Sequence, residues 1–291
     1  MALPDRATVL RTRARALSAI RHWFETNGYL EVLTPTIVPS PAMEANLYAF
    51  KTANGFLRTS PEFALKKALA EGLGRIYELG PCYRAKESGP WHQSEFTMLE
   101  WYRAGASIWD LMDEVESLFE QVATALQVQP IQRWNRVSVR SLFLRHLSID
   151  LAHASTEDLS EQDPSWNDAF FRRWVDDIEP TLTKPTFVHG WPASQAALAS
   201  IREDDTWPYA ERFEVFVGGI ELGNAFQELT HSGEQLHRCR SENLIRTGRG
   251  EPAHPIDPQF IEAVGRMPRA AGIAVGFDRL VAALCNWPGI A

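Results

Sequence analysis

Residues 84–102 read RAKESGPWHQSEFTMLEWY, and the second half of this stretch alternates in the way that a β-strand does. A period of two places four side chains on one face of the strand: Phe96, Met98, Glu100 and Tyr102. If both faces are covered, Glu100 is buried or lines a cavity, and it then needs a cation or hydrogen-bond donors. Two interpretations follow. Glu100 forms a structural salt bridge with an internal lysine or arginine, or it meets a cation that arrives with a substrate.

The strand signals around this stretch predict the fold class. The preceding run RIYELGPCYRA predicts a second strand, so residues 75–103 are expected to form an antiparallel strand–loop–strand unit. Strand signals return at residues 186–192 and 212–230, and GIAVGFDRL at 272–280 is a strand that runs into a helix. Because several strands pair as hairpins, the pattern favours an α+β fold with a mostly antiparallel sheet over a doubly wound parallel one.

Bulk properties exclude several classes of protein. The 291 residues carry a net charge of -8 and no dominant basic face, which argues against a protein that grips nucleic acid mainly through phosphates. The three cysteines are far apart and form no CxxC pair, so neither a disulfide framework nor a zinc site is expected. Neither a signal peptide nor a membrane-spanning run is recognisable, and a cytoplasmic location is therefore predicted.

A second group of carboxylates lies in the sequence EVFVGGIELGNAFQEL. It contains Glu214, Glu221, Glu228 and Asn224, and no basic residue occurs between Arg212 and His231. Carboxylates this close repel one another unless a divalent metal or an ammonium group sits among them. The alternative is that they alternate outward into water, as strand glutamates usually do.

Two arginines are candidate anion ligands. Arg84 precedes the Gly-Pro loop, and Arg279 lies where the strand of GIAVGFDRL meets its helix. Each can direct a planar set of donors at phosphate, and a helix N-terminus adds attraction for anions. Gly272 and Gly276 suit a close approach of a ligand to the backbone. Together with the carboxylates, these residues are what nucleoside triphosphate chemistry with Mg²⁺ needs.

These motifs resemble those of a known family. YRAKESGPWHQSEFTMLEWY resembles motif 2 of class II aminoacyl-tRNA synthetases, GIAVGFDRL resembles motif 3, and EVLTPTIV at 31–38 resembles the dimer-forming motif 1. TSPEFALKKAL and GGIELGNAFQELT are most similar to lysyl-tRNA synthetases. KPTFVHGWPASQAALA and RGEPAHPID resemble one paralogous group, the elongation factor P–(R)-β-lysine ligases. The resemblance implies a single catalytic domain over residues 1–291, and the mixed, polar pattern at about 130–180 predicts a helical insertion on it.

The resemblance also implies roles for residues. Arg84 and Arg279 would be catalytic, Phe96 and Arg279 would sandwich the adenine of ATP, and Glu214 and Glu221 would bind Mg²⁺. The other residues implied for ATP are Ala85, Lys86, Glu87, His92, Gln93, Leu222 and Gly276. Those implied for the amino-acid substrate are Ser60, Pro61, Glu62, Glu100, Tyr102, Asn224, Glu228 and Ala274.

The implied reaction has two steps and a protein acceptor. Lysine or (R)-β-lysine would be activated by ATP as an aminoacyl-adenylate, and then transferred to a lysine side chain of elongation factor P. A homodimer is expected. A membrane is not an expected partner, because no apolar run is long enough to span one, and tRNA is not expected, because the chain starts directly at the catalytic domain. The alternatives are a truncated lysyl-tRNA synthetase that charges tRNA, an enzyme that uses a small-molecule amine, and a catalytically dead paralogue.

Two positions depart from the family pattern. The family has Arg-x-Glu in motif 2, whereas Arg84-Ala85-Lys86-Glu87 places a lysine at the glutamate position. A shift of the loop by one residue would restore the contact to ATP through Glu87. Ala274 stands where lysyl-tRNA synthetases carry glycine, and it is expected to reshape the amino-acid pocket.

Overall fold

The fold is seen in a computed structural model, which describes residues 3–204 and 206–290. The strands are β1 Leu30–Glu31, β2 Ile37–Val38, β3 Lys51–Thr52, β4 Gly55–Leu57, β5 Arg75–Tyr83, β6 Glu95–Ala104, β7 Asn135–Ser138, β8 Thr186–Pro192, β9 Ile201–Arg202, β10 Tyr209–Val217, β11 Ile220–Gln227 and β12 Ala270–Gly276. The α-helices are α1 Arg6–Thr26, α2 Glu62–Ala70, α3 Ile108–Leu126, α4 Val139–Leu147, α5 Thr156–Leu159, α6 Trp166–Arg173, α7 Ser232–Gly248, α8 Pro258–Val264 and α9 Phe277–Leu284.

One large sheet organises the molecule. Its strand order is β1-β5-β6-β12-β11-β10-β8-β7, with β9 paired to β10 outside this path. Only the two ends of the path, β1 with β5 and β7 with β8, are parallel; the described pairs between them are antiparallel. The prediction of an α+β fold with a mostly antiparallel sheet is therefore confirmed, as is the strand–loop–strand unit formed by β5 and β6.

The main core lies against the face of β6 that carries Leu99 and Trp101. Helices α1 and α3 pack there, and Phe24 of α1 stacks on Tyr77 with ring centroids 4.1 Å apart. Asp5 caps α1, because its side chain accepts hydrogen bonds from the first-turn amides of α1. With apolar residues covered by helices on one face, the alternate residues of β6 face the other way. The period-two prediction for this strand is confirmed.

Residues 30–38 form two short strands, interrupted by a segment that contains Pro35. β1 pairs with the edge of the large sheet, whereas β2 belongs to a separate sheet of order β2-β4-β3. Between them, Thr34 donates its backbone N–H and hydroxyl to Glu78, whose other oxygen lies 2.5 Å from the Arg58 guanidinium. Every oxygen of this buried carboxylate is therefore satisfied, and the pair joins the broken strand to β5.

Residues 130–180, predicted to be a helical insertion, contain a strand as well as short helices. The segment begins with β7, which pairs in parallel with β8 and completes the large sheet, so the helical part begins only at α4. A strand of four residues is too short to show a clear period of two. After α6 the chain forms a π-helical turn, Trp174–Ile178, and a second apolar core lies beneath these helices. Among the described residues, no helix is both long and apolar enough to cross a membrane.

Gly272 in β12 lies directly opposite Tyr102 in β6, and a methyl group there would overlap the tyrosine ring and lie 2.7 Å from Glu228 Oε1. Gly272→Ala is expected to lower the free energy of unfolding by about 1–3 kcal/mol, because the crowded strand must shift. Urea denaturation measures this change. Gly248→Ala is the matched control, since nothing lies within 4 Å of its added Cβ. Equal effects of the two substitutions would contradict the role of packing at Gly272.

Candidate active site

A cavity of about 320 Å³ opens on the face of the sheet opposite α1 and α3. Most of the predicted site residues line it: Ser60, Glu62, Arg84, Glu87, His92, Gln93, Phe96, Glu100, Tyr102, Glu214, Glu221, Leu222, Asn224, Ala274, Gly276 and Arg279. Four predicted residues do not line it: Pro61, Ala85, Lys86 and Glu228. Sequence reasoning missed several lining residues, of which Glu44, Trp91 and Arg212 carry polar groups or a large ring.

The sheet aligns the floor of the cavity in a transverse row. Glu100 of β6 lies opposite Ala274 of β12, which lies opposite Asn224 of β11, which in turn lies opposite Glu214 of β10. Side chains opposite one another on antiparallel strands project to the same face. Residues more than 100 positions apart in the chain therefore form one row, and the small Ala274 occupies its middle.

Glu100 lies at one end of this row and is 1% exposed. Its Oε2 accepts a hydrogen bond from Ser60 Oγ at 2.6 Å, and its Oε1 accepts one from the Tyr102 hydroxyl at 2.6 Å. No cation is in direct contact with it among the residues that the structure describes. Burial, followed by the nearby charge of Glu62, raises the pKa of Glu100 to about 8. The site is therefore poised to hold an ammonium group.

Lys66 is a buried cation that sequence reasoning missed. Its Nζ lies 2.6 Å from Glu62 Oε1 and 2.6 Å from Glu228 Oε2, and the residue is 1% exposed. Burial alone would lower the pKa of Lys66, but the carboxylates of Glu228 and Glu62 raise it above its ordinary value. The spacing of Glu62 and Lys66, four residues apart on one helix, was the available signal. Glu228 was predicted to contact a substrate ammonium, but its cation in this structure is Lys66.

Arg212 is a second cation that was missed. It donates to Glu214 Oε1 and, at 3.1 Å, to Asn224 Oδ1, and its guanidinium lies 4.5 Å from the ring centroid of Trp191. Burial raises the pKa of Glu214 to about 8, with Arg212 opposing that shift and Glu221 adding to it. A protein cation therefore lies beside the predicted metal-binding carboxylate Glu214. Arg212 and Glu214 are two residues apart on a strand, so they share a face.

The opposite end of the cavity carries the two predicted arginines. Arg279 donates from Nε to Trp91 O and from Nη1 to Glu221 O, both at 3.0 Å. The Arg84 guanidinium lies 5.2 Å from the ring centroid of Phe96. Backbone carbonyls and an aromatic ring fix these side chains without neutralising them. This end of the cavity is accordingly suited to a planar ring and an anionic group.

The lysine at the family's glutamate position turns away from the cavity. Lys86 has a positive φ of 66°, and its Nζ lies 3.0 Å from Glu251 Oε1 outside the site. Glu87 instead lines the cavity, with its Oε2 3.7 Å from His92 Nε2. Burial and the charge of Arg279 lower the pKa of His92. The side chain of Glu87, and not that of Lys86, therefore faces the cavity.

The predicted Mg²⁺ ligands can be tested against their surroundings. Glu214 and Glu221 lie on adjacent strands, line the same cavity and are close enough for Glu221 to raise the pKa of Glu214. No group of three or more metal-binding side chains occurs in the described ranges. Mg²⁺ is usually held by one or two carboxylates together with substrate phosphates, so a pair of glutamates fits this ion.

The chain is similar to known proteins over nearly its whole length. A family model described as tRNA synthetases class II (D, K and N) matches residues 2–291. Relatives from Yersinia enterocolitica and Photorhabdus laumondii, both named elongation factor P–(R)-beta-lysine ligase, are 40% and 39% identical to it over 297 residues. These alignments cover 94% of this chain and 89% of each relative.

Replacing Lys66 tests the balance of charge beneath the cavity. Lys66→Met is expected to lower the free energy of unfolding by about 3–5 kcal/mol, because it leaves Glu62 and Glu228 buried without their cation. Chemical denaturation at neutral pH measures the loss. The control is Lys51→Met, since Lys51 is exposed. Below the pKa of about 7 of Glu228 the deficit is expected to shrink, because a protonated carboxyl does not need the cation. A deficit that grows on acidification would contradict this role of Lys66.

Proposed function

The chain belongs to the class II tRNA synthetase family of the D, K and N type, and on that premise we propose that it is an ATP-dependent protein–lysine ligase. It activates (R)-β-lysine, or lysine, as the aminoacyl-adenylate and transfers it to a lysine side chain of elongation factor P. The names of the relatives support this assignment. We further propose that residues 1–291 act as a single catalytic domain.

Glu100 is the observation that carries the proposal. A carboxylate this deeply buried is costly unless a positive group joins it, and its partners in the described structure are two hydroxyl groups. The adjacent lysine, Lys66, is already shared by two other carboxylates. An amino acid whose side chain ends in an ammonium group supplies the missing charge. Ser60 and Tyr102 then keep the carboxylate oriented toward it.

The first step forms the adenylate. An oxygen of the substrate carboxylate attacks the α-phosphorus of ATP, a new P–O bond forms, and the bond to pyrophosphate breaks. Arg84 and Arg279 hold the negative charge that develops on the phosphoryl oxygens, and Phe96 supports the adenine. With Glu100 fixing the ammonium at the other end of the cavity, the reacting carboxylate is held between the two ends.

Glu214 and Glu221 would hold Mg²⁺, which would supply positive charge beside the phosphates when bound. Arg212 keeps the Glu214 carboxylate in the cavity, and the same guanidinium orients Asn224. Because one arginine contacts both, the metal-binding carboxylate and the predicted substrate amide are held in a fixed relation.

The second step transfers the activated amino acid. The neutral ε-amino nitrogen of a lysine on the acceptor attacks the adenylate carbonyl carbon, an amide bond forms, AMP leaves with the C–O electron pair, and the amine releases a proton. The net charge of -8 favours a basic acceptor surface.

A homodimer through the segment 30–38 is supported by its exposed apolar side chains, including Leu33, which is 83% exposed.

ATP–pyrophosphate exchange tests the proposed function. The wild-type protein is expected to exchange label with (R)-β-lysine or lysine, and to attach the amino acid to elongation factor P in a second assay. Arg279→Ala is expected to lower kcat/KM for exchange by about 100-fold or more, because charge on the phosphoryl group loses a fixed donor. The exposed Arg6 on α1 provides the control, Arg6→Ala. If neither amino acid supports exchange, the proposal is overturned. If the label reaches tRNA rather than elongation factor P, the proposed acceptor is wrong.

The raised pKa of Glu100 predicts a pH dependence of substrate binding. Below the pKa of about 8, the unliganded carboxyl holds a proton that the substrate ammonium must displace. Affinity is therefore expected to rise by roughly tenfold for each pH unit up to that pKa, and then to level off. For folding the sign is opposite, since the folded state binds this proton more tightly and loses stability as pH rises from the ordinary pKa to about 8.

Isothermal titration calorimetry in buffers of different ionisation enthalpy measures both the affinity and the released proton. Glu100→Gln is expected to bind weakly and without this pH dependence, whereas Glu25→Gln, an exposed glutamate on α1, is expected to behave as wild type. A pH profile that is unchanged by Glu100→Gln would show that another group is responsible.

A further inference from the structure

The loop of residues 84–94, called here the ATP loop, is held at a point outside the cavity. Lys86 adopts a left-handed backbone conformation with φ 66°, which is costly for any residue with a Cβ. Its side chain is 61% exposed, so no apolar burial compensates for that cost. The conformation is therefore maintained by specific contacts of Lys86 and of its neighbours.

Those contacts form a small cluster, defined here as the clasp: Lys86, Tyr48 and Glu251. The Lys86 ammonium lies 3.6 Å from the centroid of the Tyr48 ring and 3.0 Å from Glu251 Oε1. The residue before it is also tied to the same tyrosine, because Ala85 N donates to Tyr48 O at 2.6 Å. Lys86 consequently joins the ATP loop to two distant segments of the chain.

Arg246 supports the segments that carry Tyr48 and Glu251. Arg246 of α7 is buried, and its guanidinium lies 5.7 Å from the Tyr48 ring centroid. It donates to three backbone carbonyls, those of Ala45, Leu47 and Pro252. These bonds fix the segments on which Tyr48 and Glu251 lie. An ammonium group anchored to both residues is thereby anchored to α7.

The turn at Lys86 decides which side chain faces ATP. With Lys86 turned outward, Glu87 lines the cavity, and Ser94 Oγ donates to Glu87 O at 3.2 Å across the base of the loop. The Glu87 carboxylate lies beside His92 at the end of the cavity that carries Arg84 and Arg279. An ionised carboxylate only accepts hydrogen bonds, so its partner on the nucleotide is a donor, such as an amino group of the base.

We propose that Lys86 is a positioning residue, whose clasp with Tyr48 and Glu251 holds the ATP loop in the register that presents Glu87 to the nucleotide. The inference rests on the proposed function for its ligand, ATP. It assigns the nucleotide-facing carboxylate to position 87 and a separate, supporting role to position 86. Loss of the clasp lowers the population of the loop conformation that binds ATP, and the observed affinity falls by the same fraction.

The test combines four substitutions with equilibrium binding of ATP and hydrogen exchange of the free protein. Lys86→Met is expected to weaken ATP binding and to raise the KM for ATP by about fivefold to tenfold, because the cation–π contact and the order of the loop are lost. The kcat is expected to change much less. Exchange at the Ala85 amide is expected to accelerate. Lys86→Arg restores the cation and is expected to restore both readouts.

Two further variants separate the effect of the clasp from the effects of the backbone turn and of the Glu87 carboxylate. Lys86→Gly relieves the cost of the positive φ, so it would equal or improve on wild type if only the backbone conformation mattered. Because the clasp needs the lysine side chain, the Lys86→Gly variant is expected to behave as Lys86→Met does. Glu87→Gln keeps the clasp, and it is expected to weaken ATP binding without accelerating exchange at Ala85.

The outcomes distinguish failure of the inference from failure of the proposed function. ATP binding and hydrogen exchange are measured without the amino acid, so they do not depend on which amino acid or acceptor is used. Wild-type ATP affinity in Lys86→Gly, or an unchanged exchange rate of the Ala85 amide in Lys86→Met, would overturn the proposed role of the clasp. Wild-type ATP affinity in Glu87→Gln would overturn the assignment of the nucleotide-facing carboxylate. An absence of ATP binding by the wild-type protein would instead remove the proposed function itself.

Discussion

A carboxylate that is buried away from water needs a positive group or hydrogen-bond donors, and this constraint determines the arrangement of charged side chains around Glu100. Three buried carboxylates, Glu62, Glu100 and Glu228, lie close together there, and Lys66 is the buried cation that the described structure places among them. Lys66 contacts the first and the last, which leaves Glu100 with hydroxyl donors only. A buried carboxyl group with hydroxyl donors and no contacting cation in the described structure is suited to an ammonium group, which is the role that we propose for Glu100.

The antiparallel sheet brings Glu100 into one row with side chains from three other strands. Directly opposed residues on β6, β12, β11 and β10 form the row Glu100–Ala274–Asn224–Glu214, with the apolar alternates buried against α1 and α3. A shift of register by one residue would turn every member of the row to the opposite face. The packing of the core and the geometry of the site are consequently fixed by the same hydrogen-bonded register.

The two ends of the cavity differ in charge. Glu62 and Glu100 lie at one end, whereas Arg84 and Arg279 occupy the other together with Glu87. The two arginines are fixed by backbone carbonyls or an aromatic ring, without a neutralising carboxylate in contact in the described structure. A substrate with an ammonium at one end and a carboxylate at the other is oriented by this field before any chemistry occurs. Arg212 contacts both Glu214 and Asn224, so these two side chains are held in a fixed arrangement.

The alternation of side chains in β6 and the pairing of β5 with β6 could be predicted from local patterns in the sequence, because such features depend on neighbours within a few positions, which a period of two reveals. Most of the residues that line the cavity were instead implied by the resemblance to class II aminoacyl-tRNA synthetases. The tertiary structure alone decided which cation serves which carboxylate. Lys66 reaches Glu228 across 162 positions, a contact set by the docking of α2 against the sheet. It also decided that Glu87, rather than Lys86, faces the cavity, because contacts of Lys86 with Tyr48 and Glu251 select the turn of the loop. Charge pairs between distant segments leave no periodic trace in a sequence, since their energy depends on burial and distance that only the folded chain defines.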